Sequence, residues 1–404
     1  MVDFALTDEQ RMMRDMARDF AAQQIRPLAN KYYRQDLRIP AEELDDLIKK
    51  ANQLRLLDYF YPEELGGLGM TEDRILTCVI LEELGWADAG IAVHLNCSTL
   101  AAKAIHAMGT EEQQRKHIHG FTNPDNEAKL TRNAAFCLTE PGAGSHVLDL
   151  ATTAKRNGQG WVLNGTKMFI TNGGRADLYV VVAQTNPDAQ GTADRAAGLA
   201  GFVVERGTPG LSTSADFKKW GVLASNTTEV VFDNVRIPLE NRLGGPDGTE
   251  GGGMGAVYET LETTRVGVAA LAVGIARAAF ETTLAYAKQR VQKKPIIQFQ
   301  AVSHKLADME AEISAARLLT WRAAWMIGAK LPLDRAEASQ AKYYASETAV
   351  RVCTDAIQIH GGYGFMKEYD VGRWLNDALV FRIWEGTSEI QKNTIARFLS
   401  NLEG

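Results

Sequence analysis

The chain has 404 residues, a formal net charge of -6 and 45% apolar residues. This length predicts two or three domains, and the apolar content is ordinary for a globular protein with sizeable cores. The acidic balance offers no basic footprint for nucleic acid, so we expect no nucleic-acid partner. No run approaches the ~20 uninterrupted apolar residues of a membrane span, so we expect no such span.

Cysteine usage and the amino end bear on the compartment. Residues 1–10 lack the basic-then-apolar layout of a signal peptide. No cysteine has CxxC or metal-ligand spacing, and each lies in an apolar context. We therefore expect reduced, buried thiols, no metal site and a cytoplasmic location, with the mature form of a mitochondrial matrix protein left open. The four cysteines are Cys78, Cys97, Cys137 and Cys353.

The first part of the chain has a helical pattern. Thr7 followed by Gln10 fits a capping box at a helix start. A glycine-bearing break, Pro62 to Met70, precedes a second apolar helical segment. We place an N-terminal all-helical domain at residues 1–129. The first helix is predicted from the apolar positions Met12, Met16, Phe20 and Ile25.

The central part changes to short apolar runs separated by turn residues, which is typical of β-strands. Asn157-Gly158 and Asn164-Gly165 each predict a short turn between strands. The small and polar stretch 188–197 predicts an exposed loop. We place a central β domain at residues 130–243.

The last part of the chain is helical again after a glycine-rich loop, Gly244 to Gly255. Apolar residues step by three and four, and Gly361-Gly362 is a natural helix stop. Pro295 and Pro332 divide this region into long helices, consistent with an antiparallel bundle. We place a C-terminal helical bundle at residues 244–404, so the whole chain is predicted to be an α+β protein.

One carboxylate near the carboxyl end stands out. Glu385 follows the apolar run Phe381 to Trp384, and the chain turns sharply at Gly386. Desolvation disfavours the charged form, so we expect a raised pKa, which suits a general base near neutral pH. The N-terminus of the next helix, opened by Ser388, favours the ionised form and opposes that shift. A lone glutamate ahead of a helix start explains the same pattern.

Two upstream segments combine residues of a ligand-binding surface. Phe136 to His146, "FCLTEPGAGSH", joins hydroxyl groups to glycines that allow close backbone approach, although a tight structural loop is an equal alternative. Lys167 to Gly174, "KMFITNGG", would set Phe169 and Thr171 on one face of an extended strand, unless it is an ordinary strand. "GGGMG", Gly251 to Gly255, is no Rossmann fingerprint and lies in a predicted loop.

Taken in order, these segments resemble the acyl-CoA dehydrogenase family over essentially the whole chain. The similarity rests on "FALTDEQ", "LTEPGAGS", "KMFITNGG", "FDNVRIP", "QIHGGYG" and "WEGTSEIQ". The resemblance implies an N-terminal helical domain, a central β-barrel-like domain and a C-terminal four-helix bundle. It also implies FAD, held non-covalently between the β domain, the bundle and a neighbouring subunit of a homotetramer.

The resemblance further implies α,β-dehydrogenation of an acyl-CoA thioester to a trans-2-enoyl-CoA, with electrons passed to an electron-transferring flavoprotein. Glu385 matches the family's catalytic base, which removes the α-proton while the flavin accepts the β-hydride. Some members place that base on a bundle helix, where this chain has Thr264 before Arg265. In relatives, the base's own backbone N–H and a ribityl hydroxyl meet the thioester oxygen.

The same resemblance carries other positions to ligand roles. Pocket depth would depend on Val93, Asn96 and Leu100. Cofactor contacts would come from Phe136, Leu138, Thr139, Ser145, Phe169, Thr171, Arg290, Gln300, Gln358, Gly361, Gly362, Thr387 and Glu389. Substrate contacts would come from Ser145, Glu262, Arg265, Trp384 and Arg397.

The chain departs from the family pattern at two places that bear on these roles. Gln289 to Ile297, "QRVQKKPII", is one residue short and lacks the family's Phe-Gly, so the cofactor interface is altered. Trp384 replaces a tyrosine before the base, which would either reshape the acyl pocket or be a neutral aromatic exchange. The acyl group itself is not predicted by these motifs.

Two alternatives remain open from the sequence. A short flavin acyl-CoA oxidase would keep the fold and use oxygen, although typical oxidases are longer than this chain, so we expect a dehydrogenase. A non-redox acyl-CoA-binding homologue would have lost the chemistry, but Glu385, Thr139, Thr171 and Arg290 are all retained. Peroxide yield and a flavin spectrum distinguish these alternatives.

Overall fold

The structure, a computed structural model, describes residues 5–122, 133–158, 160–189, 191–248, 253–333 and 336–400. A helical N-terminal part is followed by a curled sheet and then by a helical C-terminal part. This architecture confirms the predicted fold class. The predicted boundary between residues 129 and 130 lies outside the described residues, and the one between 243 and 244 stays a prediction.

Six α-helices are described in the N-terminal part. They are α1 (Asp8–Phe20), α2 (Arg26–Tyr33), α3 (Ala41–Gln53), α4 (Arg74–Ala87), α5 (Ala89–Met108) and α6 (Glu111–Thr122), with a π-turn joining the first two. The predicted capping box of Thr7 and Gln10 is confirmed. The helix predicted from Met12, Met16 and the apolar residues after them is present, but Met12 is 63% exposed while Met13 and Ala17 are buried. The buried face of α1 is formed by Gln10, Met13, Ala17 and Phe20, so Met12 lies outside it.

The central part is a seven-stranded sheet. Its strands are β1 (Ala134–Cys137), β2 (Thr153–Asn157), β3 (Gly160–Thr171), β4 (Leu178–Gln184), β5 (Leu199–Glu205), β6 (Leu211–Thr213) and β7 (Thr227–Pro238). The order is β1-β4-β2-β3-β7-β6, and β5 pairs with β4. β1 pairs with β4 in parallel, whereas β3 pairs antiparallel with both β2 and β7. One face of the sheet has its own apolar core, centred on Phe202, Phe232 and Leu163.

Two local predictions in the sheet need correction. Asn157-Gly158 does turn between β2 and β3, but Asn164-Gly165 lies inside β3, where the register with β7 shifts. The shift is a β-bulge whose extra residue lies on β7, because Leu163 pairs with Val235 and Gly165 with Phe232. The Asn-Gly signal alone does not distinguish such a bulge from a turn. The stretch 188–197 is not wholly a loop, because Thr192–Ala197 forms a short helix, α7.

The C-terminal part is built around one long helix, α8 (Gly253–Gln289). It is followed by two short paired strands, β8 (Val291–Gln292) and β9 (Lys294–Pro295), and by α9 (Gln300–Gly328), α10 (Glu337–His360), α11 (Val371–Phe381) and α12 (Ser388–Ser400). Helix α8 therefore begins within the predicted "GGGMG" loop, of which Gly251 and Gly252 lie outside the described residues.

Helix α8 packs directly on α4 of the N-terminal part. A Cβ at Gly274 would lie 2.3 Å from the Glu82 carbonyl oxygen, so only glycine permits this approach. Among the described helices, α8 alone is long and apolar enough to cross a membrane, but 61% of its most apolar window is buried inside the protein. Burial against α4, α9 and α10 gives that composition the ordinary explanation of a core helix.

Candidate active site

The predicted base lies in the loop between α11 and α12. Glu385 has a φ of 53° and Gly386 a φ of 87°, so two consecutive residues adopt left-handed backbone conformations. Glycine accepts this without strain, whereas glutamate does so at a cost of about 1–3 kcal/mol. The predicted sharp turn at Gly386 is confirmed, but the strained residue is the base itself.

Two fully buried side chains hold this turn. The Gln391 amide Nε2 donates to the carbonyl oxygens of Glu385 and Gly386, at 2.9 and 3.0 Å. The Lys342 ammonium, on α10, donates to the same Gly386 carbonyl at 2.7 Å. With the carbonyl groups fixed in this way, the Glu385 backbone N–H finds no acceptor in the described part of the chain. That N–H is therefore available to a ligand.

The Glu385 carboxylate is hydrogen-bonded to Thr264, the position to which the family resemblance assigned the base of some members. The Thr264 hydroxyl lies 3.0 Å from Glu385 Oε2 and 3.0 Å from the Leu261 carbonyl oxygen. A hydroxyl has one proton, so it donates to ionised Glu385, and it accepts from protonated Glu385 while donating to Leu261. Thr264 can thus satisfy both protonation states of the base.

Burial raises the pKa of Glu385, and this is the largest single influence on it. The Thr264 hydrogen bond opposes the rise, as do the positive charges of Arg265, Lys342 and Lys103. The direction agrees with the raised pKa that the apolar sequence around Glu385 predicted. The opposition comes from identified cations and a hydroxyl in addition to any effect of the α12 N-terminus.

The predicted substrate-side residues surround this carboxylate to different degrees. Arg265 is half-buried next to the charges of Glu262 and Glu385, and its guanidinium donates to the Ser339 hydroxyl at 3.3 Å. The Trp384 ring packs edge-on against Phe381 with centroids 4.8 Å apart. Its indole N–H is buried and has no partner in the described residues, so it too is available to a ligand.

Helix α5 connects the base to the predicted cofactor strand. The Cys97 thiol donates to the Thr171 carbonyl at 3.5 Å. Burial raises the pKa of that thiol, and Cys137 and the charge of Glu385 add to the rise. The neighbouring pocket positions Val93, Asn96 and Leu100 are partly exposed on a helix that is otherwise mostly buried. Their spacing of three and four residues puts them on one face of α5. This face is the candidate wall of an acyl pocket.

The two predicted cofactor segments, Phe136–His146 and Lys167–Gly174, are joined by a buried ion pair that the sequence analysis missed. Lys167 Nζ lies 2.7 Å from Glu140 Oε1 and donates to the Leu138 carbonyl at 2.9 Å. The Met168 N–H donates to the Thr139 carbonyl at 2.8 Å. The structure therefore brings Leu138 and Thr139 beside the strand that carries Phe169 and Thr171.

Phe169 does not follow the simple alternation that we predicted. It has a φ of 58°, and the register of β3 against β7 shifts between Lys167 and Ile170. This second bulge leaves the Phe169 ring 66% exposed, with only an edge contact to Phe217 at a centroid distance of 5.9 Å. A large aromatic ring so poorly covered by its own chain is suited to contact a flat ligand.

A second group of predicted cofactor residues lies at the far end of α8. Arg290, Gly361 and Gly362 line a groove of ≈ 440 Å³ together with Tyr286 and Tyr363. Arg290 makes no ion pair with a carboxylate in the described residues, and its guanidinium lies over the Tyr363 ring at 5.4 Å. An unpaired arginine beside glycines fits a pyrophosphate. Thr264 and Gln289 are about 38 Å apart along α8, so this groove is separate from the base.

The remaining predicted residues are placed less specifically. Ser145, Gln300, Gln358 and Arg397 are exposed, and within the described ranges they form no hydrogen bond or ion pair with the loop of Glu385. Phe136 is buried in β1, while Thr387 accepts from the Ile390 N–H at 3.2 Å as the cap of α12, and Glu389 lies in the first turn of that helix. Their ligand roles stay predictions.

No group of three or more His, Cys, Asp or Glu in the described ranges could hold a metal ion.

The sequence analysis also missed Lys342 and the role of Gln391. A lysine or glutamine on an amphipathic helix reads as a surface residue, and both are fully buried here. Lys342 lies 44 residues before its acceptor, so no local motif links them. The pairing of Lys167 with Glu140 could have been suspected from the sequence. Each residue lies in one of the two predicted cofactor segments.

Comparisons with known proteins agree along the whole chain. Models described as acyl-CoA dehydrogenase N-terminal, middle and C-terminal domains match residues 7–124, 135–235 and 251–400. An acyl-CoA dehydrogenase of Bacillus subtilis (strain 168) is 42% identical over 397 residues, covering 98% of each chain. The solved butyryl-CoA dehydrogenase from Megasphaera elsdenii has a TM-score of 0.88 and 37% identity, covering 99% of this chain and 100% of that one.

A further solved structure, an FAD complex of PigA, has a TM-score of 0.87 and 31% identity, with all of both chains covered. The three family models together cover the N-terminal, central and C-terminal parts of the chain. The Bacillus subtilis relative shares enough of the sequence, over nearly its full length, to establish membership of the family. This chain belongs to the acyl-CoA dehydrogenase family, whose members are oxidoreductases acting on the CH–CH group of their donors.

Proposed function

We propose that the chain is an FAD-dependent acyl-CoA dehydrogenase in which Glu385 is the catalytic base. The observation that carries this proposal is the geometry of the Glu385 turn. It presents a partly buried carboxylate of raised pKa and, from the same residue, a backbone N–H without an acceptor in the described residues. A base and an oxyanion donor are the two groups that α-proton removal from a thioester requires.

The chain's own residues have separate tasks in this reaction. Ionised Glu385 takes the proton from the carbon next to the thioester carbonyl, and Thr264 then accepts a hydrogen bond from the protonated carboxyl. Negative charge grows on the thioester oxygen, where the Glu385 N–H stabilises the transition state more than the ground state. FAD, when bound, supplies the acceptor for the hydride from the adjacent carbon.

The residues present fit FAD in two places. The exposed Phe169 ring and the neighbouring Thr171 are suited to the flat ring system. Arg290 with Gly361 and Gly362 is suited to a pyrophosphate, but lies about 38 Å along α8 from the base. This separation supports the expectation that the groove serves the cofactor of a partner subunit, and hence an oligomer. The homotetramer follows the family resemblance, and a dimer would meet the same requirement.

We also propose the remaining expectations of acceptor and compartment. An electron-transferring flavoprotein would receive the electrons, as in the family that the chain resembles. The cysteines are all unpaired and buried, which supports a reducing compartment such as the cytoplasm. The similarity to a butyryl-CoA dehydrogenase makes butyryl-CoA the first acyl group to test.

The test is anaerobic flavin bleaching by a panel of acyl-CoA substrates, with Glu385→Gln as the variant. We expect Glu385→Gln to keep the flavin and bind acyl-CoA, but to bleach several orders of magnitude more slowly, because the amide cannot accept the proton. Glu368→Gln, an exposed glutamate in the same part of the chain, is the matched control.

Near-normal bleaching by Glu385→Gln would show that the base is misassigned. A purified protein that gains no flavin spectrum when given FAD would favour the non-redox alternative. Peroxide formation in preference to reduction of an electron-transferring flavoprotein would favour the oxidase.

A further inference from the structure

Lys342 is a fully buried lysine to which neither the motifs nor the family resemblance assigned a role. It lies on α10 with 0% of its surface exposed, and it forms no ion pair with a carboxylate within the described residues. Buried ammonium groups are rare and are normally paired with a carboxylate. The hydrogen bond recorded for this one runs to the Gly386 carbonyl at 2.7 Å.

Helix α10 anchors the base loop at several points. The Ser346 hydroxyl lies 3.0 Å from the Phe381 carbonyl oxygen, where α11 ends. Glu347 accepts from Arg382 at 2.9 Å and from the Ser388 hydroxyl at 2.7 Å, on either side of the turn. Lys342 is the α10 contact nearest the base, since Gly386 is the next residue in the chain.

Four charged groups face the Lys342 ammonium. They are Glu385 in the loop, Arg265 on α8, Glu347 on α10 and Glu389 on α12. Burial lowers the pKa of Lys342 to about 8, while the charge of Glu385 is the strongest influence that raises it. The ammonium is thus largely protonated at neutral pH. It is one of the cations that lower the pKa of Glu385.

We propose that Lys342 is a positioning residue for the catalytic base, which fixes the Gly386 peptide and supplies a positive charge that keeps Glu385 ionised. This inference rests on the proposed function and goes beyond it. The two effects act on different quantities. Fixing the Gly386 carbonyl keeps the Glu385 N–H and carboxylate aimed at the substrate, which governs the rate. The charge governs the pH at which the base is ionised.

The experiment measures the rate of flavin reduction by a good acyl-CoA substrate against pH in Lys342→Met, which has a side chain of similar length. We expect the maximal rate to fall at least tenfold, with KM changed by less than about threefold. We expect the acid limb of the profile to move up by about one pH unit, because a nearby cation no longer favours the ionised carboxylate. Lys392→Met, an exposed lysine on α12, is the matched control with an unmoved profile.

Lys342→Gln is the second variant, because its amide keeps a donor and removes the charge. We expect it to show the shifted acid limb even where Lys342→Met retains too little flavin to be measured. A lower rate with an unshifted acid limb in either variant would reduce Lys342 to a structural residue and overturn the proposal. An inactive wild-type enzyme would instead refute the proposed function, so the two failures are distinguishable.

Discussion

The buried pair of Lys167 and Glu140 gives a quantitative prediction about the cofactor loop. Lys167→Met removes an ammonium that is 2.7 Å from the carboxylate and 2.9 Å from the Leu138 carbonyl. Removing one partner of a buried pair costs about 3–5 kcal/mol, because the other charge is left uncompensated. Glu140 still accepts from the N–H groups of Ala151 and Thr152, at 2.6 and 3.0 Å. We therefore expect the lower end of that range, about 3 kcal/mol.

The assay is thermal and urea unfolding of the FAD-loaded protein, together with the affinity for FAD. We expect Lys167→Met to unfold at lower temperature and to bind FAD more weakly, since the Leu138–Thr139 segment loses the Lys167 contact and is left with the Met168 N–H as its hydrogen bond to β3. Lys305→Met, which breaks a partly exposed pair with Asp355, is the control and should cost less than about 1 kcal/mol. Equal losses in the two variants would refute the reasoning.

Acidification gives an independent check on the same pair. The pKa of Glu140 is lowered because the Lys167 charge and several hydrogen bonds outweigh its burial. A carboxylate with a lowered folded-state pKa stabilises the fold above its unfolded-state pKa, and that contribution is lost as pH falls through the folded value.

The double variant Lys167→Met with Glu140→Gln tests whether the two residues are coupled. At neutral pH it should recover part of the stability that Lys167→Met loses, and a merely additive loss of stability would contradict a coupled pair.

Two further predictions concern other buried groups. Burial and the charge of Asp88 raise the pKa of Asp377 to about 7, so its ionisation destabilises the fold increasingly as pH rises above its unfolded-state value. The Asp377→Asn side chain can still accept from the Val222 N–H. The thermal midpoint of this variant should therefore fall less than that of the wild type between about pH 5 and about pH 8. Midpoints that fall in parallel with pH in the two proteins would contradict this. Gly386→Ala should lose more stability and activity than Gly207→Ala. Both glycines have a positive φ, but only at Gly386 would an added Cβ lie 2.6 Å from Gln391 Nε2. Equal thermal midpoints of the two variants would count against that clash.

The sequence predicted those parts of the molecule that short motifs determine. The order of helices, sheet and helices follows from periodicity. The apolar setting of Glu385 and the glycine after it marked this residue as a candidate, and the family resemblance gave it the role of the base. The bulge at Phe169 was not predicted, because the alternation of side chains between the two faces of a strand does not reveal where one strand carries an extra residue. The supports of the site were missed because their partners are 27 and 44 residues away, for Lys167 and Lys342 respectively. Such pairs depend on tertiary packing, which no local pattern contains.

The burial of α8 has a consequence for how the protein is made. This helix is apolar around most of its circumference, and its partners differ in when they leave the ribosome. Helix α4 is already complete, so the close approach at Gly274 can cover one side at once. Helix α10 ends 71 residues after α8, which at about 5–20 residues per second is a delay of roughly 4–14 s. During synthesis, the nascent chain therefore exposes one face of this long apolar helix for that interval, and the exposed face is a site at which a chaperone could bind.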